Sequence, residues 1–223
     1  MFRRSVHRAT VTTAAVGALV AGVALTACGP VKMGAAATIG DERITTAQLD
    51  GAVAQWRKEF DQNRQAALVQ QVAEQRGQRI PFDQDSPHRS ALFQLIGFRV
   101  WDEVGKEQGV TVTQGQIDGL LGGVGGPAGI APSVLAADIP LRYTTDVARI
   151  VLIQQEMVRR SAPRGGLDPT AQQRAVAQTE AAYRTAAERL KITVNPRFGG
   201  FNPEQVALNP VTYRLSRTES GTG

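Results

Sequence analysis

The side chains that could do chemistry in this chain of 223 residues are few. There is one cysteine, Cys28, and there are two histidines, His7 and His88. A lone His88 needs an ordering acid, a nucleophile or a second ligand before it can act as a base or hold a metal. The sequence signals none of these, so His88 reads as a surface residue. Gly123, Gly125 and Ala128 fit G-x-G-x-x-G/A, and Asp146 falls near the spacing of the ribose-binding acid. That fingerprint requires a preceding strand and a helix opening at the loop. Here a helical pattern precedes it and Pro127 interrupts it, so a connection between helices is expected. The chain has no G-K-[ST] phosphate loop and no G-x-S-x-G nucleophile elbow. The reading is of a protein that is not an enzyme and needs no cofactor and no metal.

Cys28 has a context. Arg3, Arg4 and Arg8 are followed by an uncharged run, 9–27, and then by Leu25-Thr26-Ala27-Cys28 at its end. A basic start, an apolar run and small residues before a cut make a bacterial secretory signal. A run of this length could also span a membrane as an uncleaved anchor. Its Ala, Gly and Thr content gains little from lipid, which favours cleavage. Arg3-Arg4 resembles the start of a twin-arginine signal, but the residues after it match poorly. Leu-Thr-Ala-Cys matches the lipobox of bacterial lipoproteins. That resemblance implies lipidation of Cys28, removal of residues 1–27, and an extracytoplasmic protein held on the membrane by its lipid.

Without the signal, the formal charge falls from +5 to +2, so basicity gives no argument for nucleic acid. Arginine outnumbers lysine 21 to 4, which fits a GC-rich genome better than an RNA surface. The length after the signal suits one domain with a real core. Residues 28–35 read as the lipidated cysteine and a spacer, 36–201 as a helical domain, and 202–223 as an extended or disordered tail.

The elements follow from pattern. Gly40-Asp41 is a turn between two short extended pieces. Thr45 and Gln48 have capping-box spacing, and Leu49, Val53, Trp56 and Phe60 then form one apolar stripe. The repeat continues to Arg76, and Gly77 and Pro81 end it. Ser86-Pro87 opens a second helix, apolar nearly all round through Val104 and closed by Gly109. Thr113 and Gln116 repeat the capping-box spacing. Pro132 and Pro140 bracket a short helix, Thr145–Arg160 forms another, and Asp168-Pro169 opens the last. Asn-Pro pairs interrupt the chain beyond Lys191. The fold class expected is mostly α: five or six helices in an irregular bundle with one small strand pair. Trp56, Phe60, Phe93, Phe98 and Trp101 are the candidate lining of an apolar peptide-binding cleft, with a filled core as the alternative.

Two segments resemble one family. Residues 36–60, AATIGDERITTAQLDGAVAQWRKEF, look like the opening of SurA/PrsA-type extracytoplasmic chaperones. Residues 99–118, with Gly109-Val110-Thr111-Val112-Thr113 and Ile117-Asp118, look like that domain's later signature. LKITVNPRFGGF, 190–201, resembles the return segment of short actinobacterial lipoproteins with this domain. The resemblance implies a SurA N-terminal-like chaperone domain that binds unfolded or partly folded secreted polypeptides. No segment matches the parvulin domain, so no isomerase residue has a position here. A lipoprotein adaptor for one folded envelope partner is the second reading, and a divergent prolyl isomerase the third.

Overall fold

The computed structural model describes residues 34–161 and 169–211. The run read as a signal, Cys28 and most of the stretch read as a spacer lie outside the described residues. So do Asp168, read as part of the start of the last helix, and residues 212–223. Everything described belongs to one compact unit, Val31–Gly223.

The fold is mostly α, with seven α-helices among the described residues. Strands β1 (Ala35–Ile39) and β2 (Glu42–Thr45) form an antiparallel hairpin about the Gly40-Asp41 turn. Ala35, read as the end of the spacer, is fully buried in β1. Helix α1 (Thr46–Asp61) starts on the capping box. The Thr45 N–H donates to Gln48 Oε1 at 2.8 Å, and the Gln48 N–H donates to Thr45 Oγ1 at 3.1 Å.

The long helix expected to Arg76 is instead two. Asn63 accepts from the Ala66 N–H at 3.1 Å and caps a new helix, α2 (Arg64–Gln75). A side chain able to satisfy the first free amides of a helix competes with continuation of the one before it. On α2, Ala66 and Ala73 are buried, while Leu68 and Val72 of the same apolar repeat face outward.

Helix α3 (Pro87–Glu107) begins at Ser86 with Pro87 in its first turn, and Gly109 follows it at φ +60°. It is the central element. Leu92, Ile96, Val100 and Val104 recur every four residues with no exposed surface, packed among β1, α1, α6 and α7. Helix α4 (Gln114–Gly123) again starts on a capping box, Thr113 with Gln116. A helix precedes the glycine run, so the dinucleotide geometry is not formed there.

Helix α5 (Gly126–Ala136) carries Pro132 in its interior rather than at its edge. The missing N–H would have met the carbonyl of Ala128, an exposed residue where water can serve instead. Helices α4 and α5 meet at 84°, and together, though neither alone, they are long and apolar enough to cross a membrane. At this corner Gly129 is obligatory, because a Cβ there would lie 1.7 Å from the Val124 carbonyl oxygen.

Helices α6 (Thr144–Ser161) and α7 (Pro169–Arg189) complete the bundle. Strand β3 (Thr193–Val194) then pairs with β1, giving the order β2-β1-β3. The sheet therefore has three strands rather than a single pair. A second hairpin, β4 (Phe201–Asn202) with β5 (Ala207–Leu208), packs Leu208 into the core, and the turn before it, Pro196–Phe198, packs Phe198 there. The Asn-Pro segments thus form turns and short strands, and the part of the tail through 211 lies on the body.

Arg89 fastens this last segment. From the first turn of α3 its guanidinium donates to the carbonyls of Phe198 at 2.5 Å, Asn209 at 3.0 Å and Leu208 at 3.4 Å. Asp83 holds its Nε at 2.6 Å. Gly199, at φ +91°, makes room for both sides of this junction, since a Cβ there would clash with the Asn209 carbonyl oxygen and stand 2.7 Å from Arg89 Nη1.

Candidate binding cleft

An open cleft of about 810 Å³ lies among α3, α6 and α7. Its floor is α3, through Phe93, Gly97, Phe98 and Trp101. One wall is α6, through Val147, Ile150, Val151 and Val158. The other is α7, through Val176, Thr179 and Tyr183, with Glu180 and Arg184 at the rim. Ile139 and the β4–β5 turn, Glu204 to Val206, also border it. At 1.5 Å per residue the walls run for about 12–17 Å.

Each helix offers the cleft the face that its apolar spacing dictates. On α6, Ala148, Ile153 and Met157 are buried in the body, while Val147, Ile150, Val151 and Val158 are only half covered. On α7, Ala175, Ala186 and Ala187 are buried, and Val176 stays 45% exposed. Small residues on the inner face of α7 let it sit close, leaving its larger apolar side chains at the cleft.

Three of the five aromatic candidates meet here. Trp101 packs its ring 5.0 Å from that of Tyr183, and burial pushes the Tyr183 phenol well above its ordinary titration range. Phe98 is almost fully buried, 5.5 Å from the Tyr143 ring. Phe93 is half-buried and stacks on Phe82 at 4.0 Å.

Trp56 and Phe60 are elsewhere. The Trp56 ring lies in the core and its N–H donates to the Leu135 carbonyl at 2.8 Å. Phe60 covers it, with ring centroids 5.3 Å apart. A buried indole with a satisfied N–H is a packing residue, not a lining one.

Gly97 is the residue that sequence reasoning missed. It lies in the middle of α3, where glycine costs about 0.5–1 kcal/mol relative to alanine. A Cβ there would meet only the Tyr183 hydroxyl, at an ordinary 3.6 Å. Packing therefore does not require glycine at this position. What glycine does is deepen the cleft floor between Phe93 and Trp101.

A second hollow, of about 400 Å³, is charged. Its groups face one another: Arg99 with Glu42 at 2.7 Å, Lys106 with Glu103 at 3.3 Å. Burial raises the Asp102 carboxyl, with Arg149 and Arg99 opposing. His88 joins Asp50 across α3 and α1 at 3.4 Å, on the surface. Among the described residues no three His, Cys, Asp or Glu side chains converge as metal ligands.

No family model, no curated protein and no solved structure matches the chain.

Proposed function

We propose that the protein is a chaperone-like domain, tethered to the extracytoplasmic side of the cell membrane by lipid on Cys28. It binds apolar segments of non-native secreted proteins or peptides and has no isomerase activity. The observation that carries this reading is the open apolar cleft whose floor is kept deep by a glycine that packing does not need. Unfolded clients expose apolar side chains, and an open helical cradle covers them reversibly without ATP. Tethering raises the local concentration of binding sites where clients emerge at the membrane. The lipobox spacing and the resemblance to SurA/PrsA-type domains support the same reading.

The test uses Gly29–Gly223, which contains the whole compact body. Diluting a chemically unfolded client into buffer with this protein should suppress light scattering at near-stoichiometric ratios. Gly97→Leu should abolish the suppression while leaving the thermal transition in place, because its Cβ makes only an ordinary contact with the Tyr183 hydroxyl and the rest of the side chain fills the cleft. Gly97→Ala should keep most of the binding and raise stability by about 0.5–1 kcal/mol. Equal protection by Gly97→Leu and the parent would place the activity outside the cleft.

The tether has its own check. Cys28→Ser should move the protein from the membrane fraction to the soluble fraction, and a variant still held there by lipid would refute the lipobox reading.

A further inference from the structure

The walls of the cleft are the flanks of three helices, and this restricts what can lie between them. Along α3, α6 and α7 the main-chain N–H and C=O groups are engaged within their own helices. At the hairpin end, Asn202 Oδ1 already accepts from the N–H groups of Glu204 at 3.0 Å and Gln205 at 3.1 Å. The Thr179 hydroxyl donates to the Ala175 carbonyl at 2.8 Å, and Gln94 Nε2 turns to the Ala137 carbonyl at 3.5 Å.

An extended segment in such a cleft would bring one N–H and one C=O per residue and find no main-chain partners along the three helices, only scattered side chains such as Gln154 and Gln205. Each group buried without a partner loses its hydrogen bond to water with nothing in return. A helix arrives with these groups paired among themselves. The lining also has helical spacing. Phe93, Gly97 and Trp101 recur every four residues along the floor, with the gap at the glycine. A ridge of apolar side chains on an incoming helix can enter that gap. The rim is asymmetric, with two acids, Glu180 and Glu204, and one base, Arg184, so it favours an occupant with cationic flanks.

We propose that the cleft takes its occupants as amphipathic helices. This rests on the reading of the cleft as the site for non-native polypeptides. The occupant sets apolar side chains spaced i, i+3, i+4 and i+7 against Gly97, and places lysines or arginines beside Glu180 and Glu204. The geometry selects client segments of helical periodicity rather than strands.

Three dye-labelled peptides test this, each about 16 residues long and built from Leu, Ala, Gln and Lys, with identical content except for the single proline in the third. One has helical periodicity, one alternates apolar and polar residues, and one is the helical peptide with a central proline. Each is titrated into Gly29–Gly223 and into its Gly97→Leu form, followed by fluorescence anisotropy, with circular dichroism of the complex. The helical peptide should bind about tenfold or more tighter than the other two. It should gain helical signal on binding and lose binding to Gly97→Leu. Equal binding of the alternating peptide, also lost in Gly97→Leu, would overturn the helix inference and leave the cleft reading standing. Binding that Gly97→Leu does not change, or no binding by any peptide, would overturn both.

Discussion

Replacing Asp138 by asparagine will open a stability gap over the parent that widens as pH rises from about 4 to about 7, by up to about 4 kcal/mol. Asp138 follows α5 at φ +59° and is 2% exposed. Its Oδ2 has no hydrogen-bond partner among the described residues. Burial raises its carboxyl from the ordinary 3.8 to about 7, opposed by the Ser90 hydroxyl bond and helped by the nearby Asp83.

The sign follows from the raised value. Below about pH 4 the carboxyl is protonated in both folded and unfolded chains, and it adds no pH dependence. Between about 4 and 7 the unfolded chain ionises first, and each pH unit removes about 1.4 kcal/mol of stability. Above about 7 both states are ionised and the loss is complete. Asparagine tolerates the left-handed backbone and does not ionise. Groups common to both proteins cancel in the difference. Urea unfolding midpoints of both proteins at several pH values measure it, and parallel curves would show that Asp138 ionises without penalty.

Arg89→Met should destabilise the protein by about 3–5 kcal/mol, with the segment from Phe198 to Asn209 loosening first. Methionine keeps an apolar stem but leaves three carbonyl oxygens without their cationic donor and Asp83 without its partner. An exposed ion pair would be worth far less. Here the arginine side chain is 12% exposed and its fork spans two chain segments. The β4–β5 turn borders the cleft, so peptide binding should weaken with it. Native-state hydrogen exchange locates the effect. The Asn209 amide, bonded to the Gly200 carbonyl at 2.7 Å, should exchange much faster while the α3 amides change only with global stability.

The sequence makes the starts of helices plain because caps are local chemistry. Thr45 with Gln48, Thr113 with Gln116, and Ser86 before Pro87 each name the amide they satisfy. The break at Gln62-Asn63 was hidden because the apolar repeat runs through it on both sides. Pro132 was misleading because a proline in the second turn loses only one bond, at an exposed carbonyl.

The cleft was half legible. Phe93, Phe98 and Trp101 share a helix with the most continuous apolar pattern, and periodicity places them near one another. Trp56 and Trp101 are the same residue type on comparable stripes. Only tertiary packing decides that one meets Leu135 and the other meets Tyr183 at an open edge. Gly97 gave no signal, since a glycine inside a helical pattern reads as a local weakness until the space above it is known.

The placement of β1 sets the order in which the molecule can be assembled. The first strand of the body is the middle strand of its sheet, and one edge waits for β3, more than 150 residues later. Asn195 closes that edge, its side-chain amide donating to the Ala35 carbonyl at 3.0 Å. Arg89 likewise waits for residues 198–209. Such sequence-distant closures slow folding, because the loop entropy is lost before the contacts form. A chain emerging from its amino terminus thus keeps an open strand edge and an unanswered guanidinium until nearly all of it has appeared. Closure of the fold is thereby left until the chain is nearly whole.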